Sequence, residues 1–352
     1  MADVVTRTRA HPPATSGQVR RKPLNRGRRT LAAALFAPSL VVVGIFVYGF
    51  LAFTLRVSVA DSYSPLNPDL ASTPKLLDNY ATLLKTPRFQ ADLRNIVLFT
   101  VSLLVLAMLI GSGLALLVNR VVRASGLFRS IFLLPYALSF IVTGVVWRWL
   151  FTPGTGVNLL LQYSGVSAAY QAATGMPLQP GWITDPHVAL SVNDVLTGLF
   201  PGTAAVLQTQ LGVPMALIPV VIAATWQLAG FAMAMVLAGL GGIPEEVVEA
   251  AQVDGAGPWR QFWNITFPLL RPTIVIALVL LGHIALKSFD LFYAMVGSGP
   301  GFATDIPGIF VYDQMFRALN YNLGAAASMV MLLLVCAIVV PYLARTYARE
   351  DS

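Results

Sequence analysis

Charged residues are scarce in this sequence. Only 11% of its 352 residues are Asp, Glu, Lys or Arg, whereas about a quarter of an ordinary soluble domain is charged. Hydrophobic residues make up 56% of the chain, and its mean hydropathy is +0.71. This composition excludes a disordered chain and argues against a soluble globular enzyme. It indicates a protein that is largely surrounded by lipid.

Residues that commonly build catalytic or metal sites are also scarce. Cys336 is the only cysteine, which excludes an intrachain disulfide framework and a cysteine zinc cluster. His11, His187 and His283 are far apart in the sequence, and no metalloprotease or serine-hydrolase motif is present. We therefore predict no catalytic residue and no metal site, and the alternative of an intramembrane enzyme is disfavoured. None of the four lysines follows a glycine, so the chain has no phosphate-binding loop for ATP.

Apolar runs long enough to cross the roughly 30 Å hydrocarbon core of a bilayer recur six times. The sequence therefore predicts an all-α integral membrane protein with six transmembrane helices. The first apolar run is longer than the core of a signal peptide, so we expect it to remain as an uncleaved span. The predicted spans are 31–55, 96–118, 130–151, 213–240, 273–296 and 323–344.

The distribution of lysine and arginine predicts the orientation. With the N-terminus inside, the inner segments carry fifteen of these residues and the outer segments six, which favours two cytoplasmic termini. The expected organisation is a disordered basic tail at 1–30, a transmembrane domain at 31–345 and a short tail at 346–352. We expect the basic tail to be attracted to anionic lipid headgroups, and the charge distribution does not suggest a nucleic-acid partner.

The segment 151–212 is the main ambiguity in this topology. It contains no lysine or arginine, and we expect it to form an extracytoplasmic loop with short helices on the membrane surface. The alternative is a seventh span at 195–211, but Pro201 and Gly202 interrupt that run.

The segment 241–272, between the fourth and fifth spans, predicts a cytoplasmic helix–turn–helix. Pro244 suits the first turn of a helix, Gly255 breaks that helix, and Pro258 can start a second one. We expect Pro268 to help end the second helix before the fifth span. Two interpretations remain open, which are a docking surface for another protein and a solvated connector.

This segment resembles the EAA motif of ABC-transporter permease subunits. The sequences Ile243-Pro244 and Asp254-Gly255-Ala256 are similar to the carbohydrate-importer branch, which includes maltose and glycerol-3-phosphate permeases. The resemblance covers roughly residues 30 to 345, although Phe267 replaces the usual leucine and the stretch 188–212 is longer than expected. The motif residues are Glu249, Ala250, Ala251, Gly255, Ile265 and Pro268.

The resemblance implies a subunit of an ATP-driven sugar importer that is not itself an enzyme. It would form half of the path with a second, different permease subunit in a bacterial or archaeal cytoplasmic membrane. An extracytoplasmic sugar-binding protein would deliver the substrate. Two ATPase subunits would bind the ATP and magnesium. No cofactor is expected in this chain itself. The residues expected to couple to the ATPase are Glu249, Ala250, Ala251, Asp254, Gly255, Ala256 and Pro268.

Polar and aromatic side chains within the predicted spans are candidates for the substrate path. Aromatic faces stack on sugar rings, and amides and charges bind hydroxyl groups. The alternative interpretation is an internal ion pair between Lys287 and Asp290, three residues apart, with the other residues serving as structural contacts. A secondary transporter driven by an ion gradient is a further alternative, but Asp290 is the only acid within a predicted span. The candidates are Trp226, Gln227, Lys287, Asp290 and Tyr293.

Overall fold

The computed structural model describes residues 26–71, 76–120, 125–176, 178–199 and 207–350, and it is predominantly helical. The helices of the first half are α1 (Arg26–Val43), α2 (Phe50–Ser58), α3 (Asp78–Lys85), α4 (Pro87–Arg120), α5 (Ser125–Leu133), α6 (Phe140–Phe151), α7 (Gly156–Tyr163) and α8 (Val166–Thr174). Those of the second half are α9 (Asn193–Leu199), α10 (Leu217–Gly241), α11 (Glu245–Val253), α12 (Pro258–Gln261), α13 (Phe267–Leu286), α14 (Phe289–Met295), α15 (Pro307–Tyr312) and α16 (Tyr321–Glu350).

Five stretches of helix in the described chain are long and apolar enough to cross a bilayer, which confirms the prediction of an all-α membrane protein. A sixth span is obtained if the bent pair Ser125–Ala137 and Phe140–Tyr163 is counted as one. The five stretches are Ala34–Ser58, Pro87–Asn119, Leu217–Gly241, Pro258–Leu286 and Tyr321–Ala344.

The chain divides into a unit at 1–52 and a unit at 53–352. In the first unit, α1 continues through the π-helical turn Gly44–Gly49 into the start of α2. Its apolar side chains, including Leu40 and Phe46, are exposed, as expected for a helix that faces lipid or another subunit.

The core of the second unit is the packing of α4 against α10. Phe99 and Leu103 of α4 and Leu228 of α10 are all almost completely buried. The two helices approach closely at Gly111, where an added Cβ would lie only 2.5 Å from the Cβ of Ala232. Small residues at such crossings allow the backbones of membrane helices to meet.

The predicted third span, 130–151, is not a straight helix. A 3₁₀ turn at Leu134–Ala137 follows α5, and the stretch Ser125–Ala137 differs in direction by 92° from the stretch Phe140–Tyr163. Ser139 begins α6, because its Oγ accepts a hydrogen bond from the Val142 N–H at 3.3 Å. A serine N-cap of this kind favours starting a new helix over continuing the previous one.

The predicted fifth span, 273–296, is shifted in the structure, where the helical stretch runs from Pro258 to Leu286. The turn Phe262–Thr266 is π-helical and therefore wide, and it accommodates Pro268 in the first turn of α13. At the other end, the Ser288 hydroxyl donates to the Ile284 carbonyl at 2.9 Å, and Lys287 caps the helix. The polar pair Lys287-Ser288 thus ends the helix before the predicted boundary.

Where the structure describes the predicted loop 151–212, the chain forms the short helices α7, α8 and α9. A small antiparallel ladder joins β1 (Val188–Ala189) to β2 (Val213–Pro214). The alternative seventh span falls partly on residues 200–206, which lie outside the described residues. In the described part of that stretch, the chain forms the end of α9 and then an irregular segment.

Candidate functional site

The turn after α11 is defined by a specific backbone conformation. Gly255 has a φ of +75°, which favours glycine because other residues clash in the left-handed region. The Ala256 N–H donates to the Ala251 carbonyl at 2.9 Å, and the Gly255 N–H donates to the Gln252 carbonyl at 3.0 Å. This pair of hydrogen bonds is the Schellman arrangement that ends many helices. It explains why the chain reverses at the predicted glycine.

The second half of the predicted helix–turn–helix differs from expectation, because it is not a separate element. After the turn, Pro258 begins a helix that continues into the long apolar span. Pro268 lies in the first turn of α13 and does not end the preceding helix. The Gln261 Nε2 donates to the Val248 carbonyl at 3.0 Å and so ties the base of this span to α11.

The short helix α11 exposes most of its surface. Glu249, Ala250 and Asp254 are exposed, whereas Ala251 is buried. Val253 is 88% exposed, so an aliphatic side chain lies on the same surface. Small side chains and an exposed valine, flanked by carboxylates, form a surface that another protein can approach closely.

Gln227 lies at the break between α5 and α6. Its side chain is 2% exposed, and its Nε2 donates to the Leu138 carbonyl at 2.7 Å. Leu138 is one of the non-helical residues at the break, so its carbonyl lacks a partner within a helix. The side chain of Gln227 therefore satisfies an irregular backbone that would be costly within the bilayer. The neighbouring Trp226 is half exposed and packs edge-to-face against Trp147 at 5.7 Å.

Lys287 and Asp290 lie on different helices. Lys287 is the C-cap of α13 and Asp290 is in the first turn of α14. Each charge is thus placed at the helix end that the helix dipole favours. Both side chains are exposed, and no ion pair joins them among the described residues. The expected pairing on one helix face is therefore not found.

Tyr293 belongs to a group of aromatic rings at the end of the spans opposite α11. Its ring stacks on Phe289 at 5.2 Å and meets Tyr312 at 5.4 Å. Its hydroxyl oxygen accepts a hydrogen bond from the Arg317 Nη2 at 3.1 Å. This residue is 40% exposed, so one part of the ring remains accessible.

A buried ionic cluster near Tyr293 was not predicted from the sequence. Arg88 donates from Nε to Asp305 and from Nη2 to Asp313, both at 2.5 Å. Asp305 is fully buried, and burial raises its pKa although the Arg88 guanidinium opposes that shift. The side chain of Asp92, also fully buried, lies in the same cluster. The one local sign of this cluster in the sequence is the pair Arg88 and Asp92 at the start of an apolar helix. No local pattern points to its distant members, Asp305 and Asp313.

A groove of about 570 Å³ between α4 and the Pro258–Leu286 stretch does not have the chemistry of a sugar site. Its walls are almost entirely apolar, and they include Met108, Phe262 and Ile274. Sugar hydroxyls would lose their hydration there without gaining hydrogen-bond partners. We therefore do not place the substrate path in this groove.

Comparison with known proteins identifies the family. Residues 104–350 match the family described as the binding-protein-dependent transport system inner membrane component. The chain belongs to this family. Its members are the translocation components of ABC transporters, so this permease is not itself an enzyme.

Two relatives and one solved structure extend the comparison over most of the permease. A probable ABC transporter permease from Pyrococcus horikoshii is 32% identical to this chain. The alignment covers 89% of this chain and 94% of the relative. The xylose/arabinose import permease XacH of Haloferax volcanii is 29% identical over 87% and 85% of the two chains. The crystal structure of a bacterial ABC transporter involved in alginate import has a TM-score of 0.66 at 20% identity, covering 91% and 96%. This last likeness concerns the fold.

Proposed function

We propose that this permease imports a sugar and forms half of the translocation path beside a second, different permease subunit. The proposal is supported by the similarity to a xylose/arabinose import permease and by the carbohydrate-branch features around Asp254-Gly255-Ala256. An extracytoplasmic binding protein would deliver the sugar to the outer end of the spans. Two ATPase subunits would bind ATP and magnesium at the inner end.

The observation that carries this proposal is the exposed helix α11. Its N-terminal end begins beside Pro244 and its C-terminal end is fixed by the left-handed Gly255. Ala250 and Val253 are exposed between these two points. Such a surface would fit a groove in an ATPase, with Glu249 and Asp254 placed to meet basic residues.

The mechanism follows from how α11 is joined to the spans. It connects the end of α10 to the start of the Pro258–Leu286 helix, and Gln261 ties it to the base of that helix. A movement of α11 imposed by ATP binding would therefore be passed directly to two spans. An inner location of α11, with the bent pair counted as one span, would place both termini in the cytoplasm, as the distribution of basic residues predicts.

The substrate path would involve Tyr293, Trp226, Asp290 and Lys287, all of which are exposed. Gln227 was also expected in this path. Its contact with the Leu138 carbonyl provides a structural role that competes with that expectation.

The coupling proposal is tested with Ala250→Glu. A bulkier charged side chain on α11 should prevent the ATPase from docking, so ATPase co-purification and sugar uptake should both be lost. Ala172→Glu places the same change on the exposed surface of α8 and should affect neither. Membrane insertion of both variants is checked by their yield in the membrane fraction. Normal ATPase association with Ala250→Glu would contradict the docking assignment.

A further inference from the structure

Four aromatic rings form a continuous surface at the end of the spans opposite α11. Phe289 and Tyr293 stack on one another on α14. Tyr312, at the end of α15, contacts Tyr293 at 5.4 Å and Phe316 at 5.5 Å. We call the surface formed by Phe289, Tyr293, Tyr312 and Phe316 the aromatic ledge. Phe316 is 70% exposed, so the ledge is accessible rather than part of the core of this chain.

Polar groups border the aromatic ledge. Arg317 lies over the Tyr312 ring at 5.4 Å and donates to the Tyr293 hydroxyl oxygen at 3.1 Å. It also forms an ion pair with Asp313 at 3.1 Å, yet its side chain is 61% exposed. A guanidinium has five N–H donors, so donors remain for a bound molecule. Asp290 is exposed one helical turn before Tyr293 and so lies on the same face of α14.

The buried ionic cluster holds the aromatic ledge in place. Arg88 binds Asp313 directly, and Asp313 in turn pairs with Arg317. Arg88 also binds the fully buried Asp305 and lies 5.4 Å from the Phe310 ring. The ledge is thus fixed to the start of α4 by the contacts of Arg88 with Asp305 and Asp313, whose side chains are at most 19% exposed, which makes it a preorganised binding surface.

The combination of exposed rings and charged donors suits a sugar better than a lipid or an apolar protein surface. Lipid tails would leave Asp290 and the remaining N–H donors of Arg317 without polar partners, which is costly. A sugar ring can place its C–H face on the aromatic rings while its hydroxyls bond the guanidinium, the phenol and the carboxylate. The arginines Arg88 and Arg317 are balanced by Asp305 and Asp313, so the ledge has no excess positive charge to attract an anion.

We infer that the aromatic ledge is a binding surface for a neutral sugar at the outer end of the translocation path. The inference rests on the proposed function, and it adds Tyr312, Phe316 and Arg317 to the residues that contact the substrate. Phe316 would provide the stacking face, and Arg317 would donate to the sugar hydroxyls. The buried cluster around Arg88 would position the ledge without touching the sugar.

The test uses the complete transporter in proteoliposomes, with its second permease, ATPase and binding protein. Uptake of D-xylose, L-arabinose and maltose is compared with uptake of the anion sn-glycerol-3-phosphate. Phe316→Ala and Arg317→Gln should each lower uptake of the transported neutral sugar about two- to tenfold at subsaturating concentration. Tyr163→Ala removes an aromatic ring that is 84% exposed on α7 and should leave uptake unchanged.

The outcomes separate this inference from the proposed function. A wild-type complex that imports none of the probes would overturn both. Wild-type import of a neutral sugar with unchanged uptake by Phe316→Ala and Arg317→Gln would overturn the ledge alone. Preference for the anionic probe would overturn the neutral-sugar assignment. Loss of the second permease from the purified variants would instead assign the ledge to a subunit interface.

Discussion

The carboxamide of Gln227 illustrates how a single residue permits an irregular backbone in a membrane protein. The chain becomes extended at Leu138, after the 3₁₀ turn Leu134–Ala137, and the Leu138 carbonyl then needs a partner from elsewhere. Gln227 provides it from α10, at a hydrogen-bond distance of 2.7 Å. Within hydrocarbon, no water could replace this hydrogen bond. A polar residue that the sequence suggested for substrate binding therefore has a structural contact of its own.

We expect Gln227→Met to lower the free energy of unfolding by about 1–3 kcal/mol, because a buried carbonyl loses its partner while the side-chain volume is nearly preserved. Thermal unfolding in detergent measures the change. Gln162→Met alters an exposed glutamine on α7 and should leave the melting temperature within error. If Gln227→Met retained full stability but transported sugar several-fold more weakly, the substrate-path interpretation would be favoured instead.

At the scale of elements, the fold depends on how closely α4 approaches α10. Gly111 lies at the contact, where an added Cβ would meet the Ala232 Cβ at 2.5 Å and the Ala229 carbonyl oxygen at 2.8 Å. The second of these atoms belongs to the backbone and cannot move aside as a flexible side chain would. A Cβ added at Gly113, two residues further along α4, would meet no neighbouring atom within 4 Å.

We expect Gly111→Ala to destabilise the protein by about 1–3 kcal/mol, since α4 and α10 must separate to accommodate one methyl group. Gly113→Ala should be neutral or slightly stabilising, because alanine favours the helix and meets no neighbour there. The two variants are compared by thermal unfolding in the same detergent. Equal stability of the pair would show that the helices do not pack at Gly111 as described.

The sequence predicted the spans better than the breaks within them, for a physical reason. A span follows from local length and hydropathy, and the run at 213–240 is close to the observed α10. The break near Ser139 depends on a partner on α10, and the end of α13 depends on how Lys287 and Ser288 compete with the helix. Both are side-chain contacts that a hydropathy window does not detect.

The same distinction applies to the candidate site. The turn at Gly255 was predictable because a glycine between helical segments has a local conformational meaning, and its positive φ agrees with that. The cluster of Arg88 with Asp305 was not predictable. Its members are more than two hundred residues apart in the chain, and no local pattern pairs them.

At the scale of the whole molecule, the exposed helix α11 and the aromatic ledge lie at opposite ends of the Pro258–Leu286 span. The exposed helix α11 lies where α10 ends and the next span begins, whereas α14 and the aromatic ledge follow the far end of that span. In an importer, energy would enter at the first end and the substrate at the second. This assignment requires the segment 151–212 and the coupling helix to lie on opposite sides of the membrane.

We therefore expect cysteines placed in these two regions to react oppositely with a membrane-impermeant maleimide. Cys336 is the only native cysteine, so a Cys336→Ser background is free of other thiols. Gln171→Cys on α8 should be labelled in intact spheroplasts, because the loop without lysine or arginine is expected outside. Gln252→Cys on α11 should be labelled only after the membrane is permeabilised, although both positions are exposed in the fold. Since both cysteines are introduced at exposed glutamines of short helices, the reverse pattern would invert the topology and remove α11 from contact with a cytoplasmic ATPase.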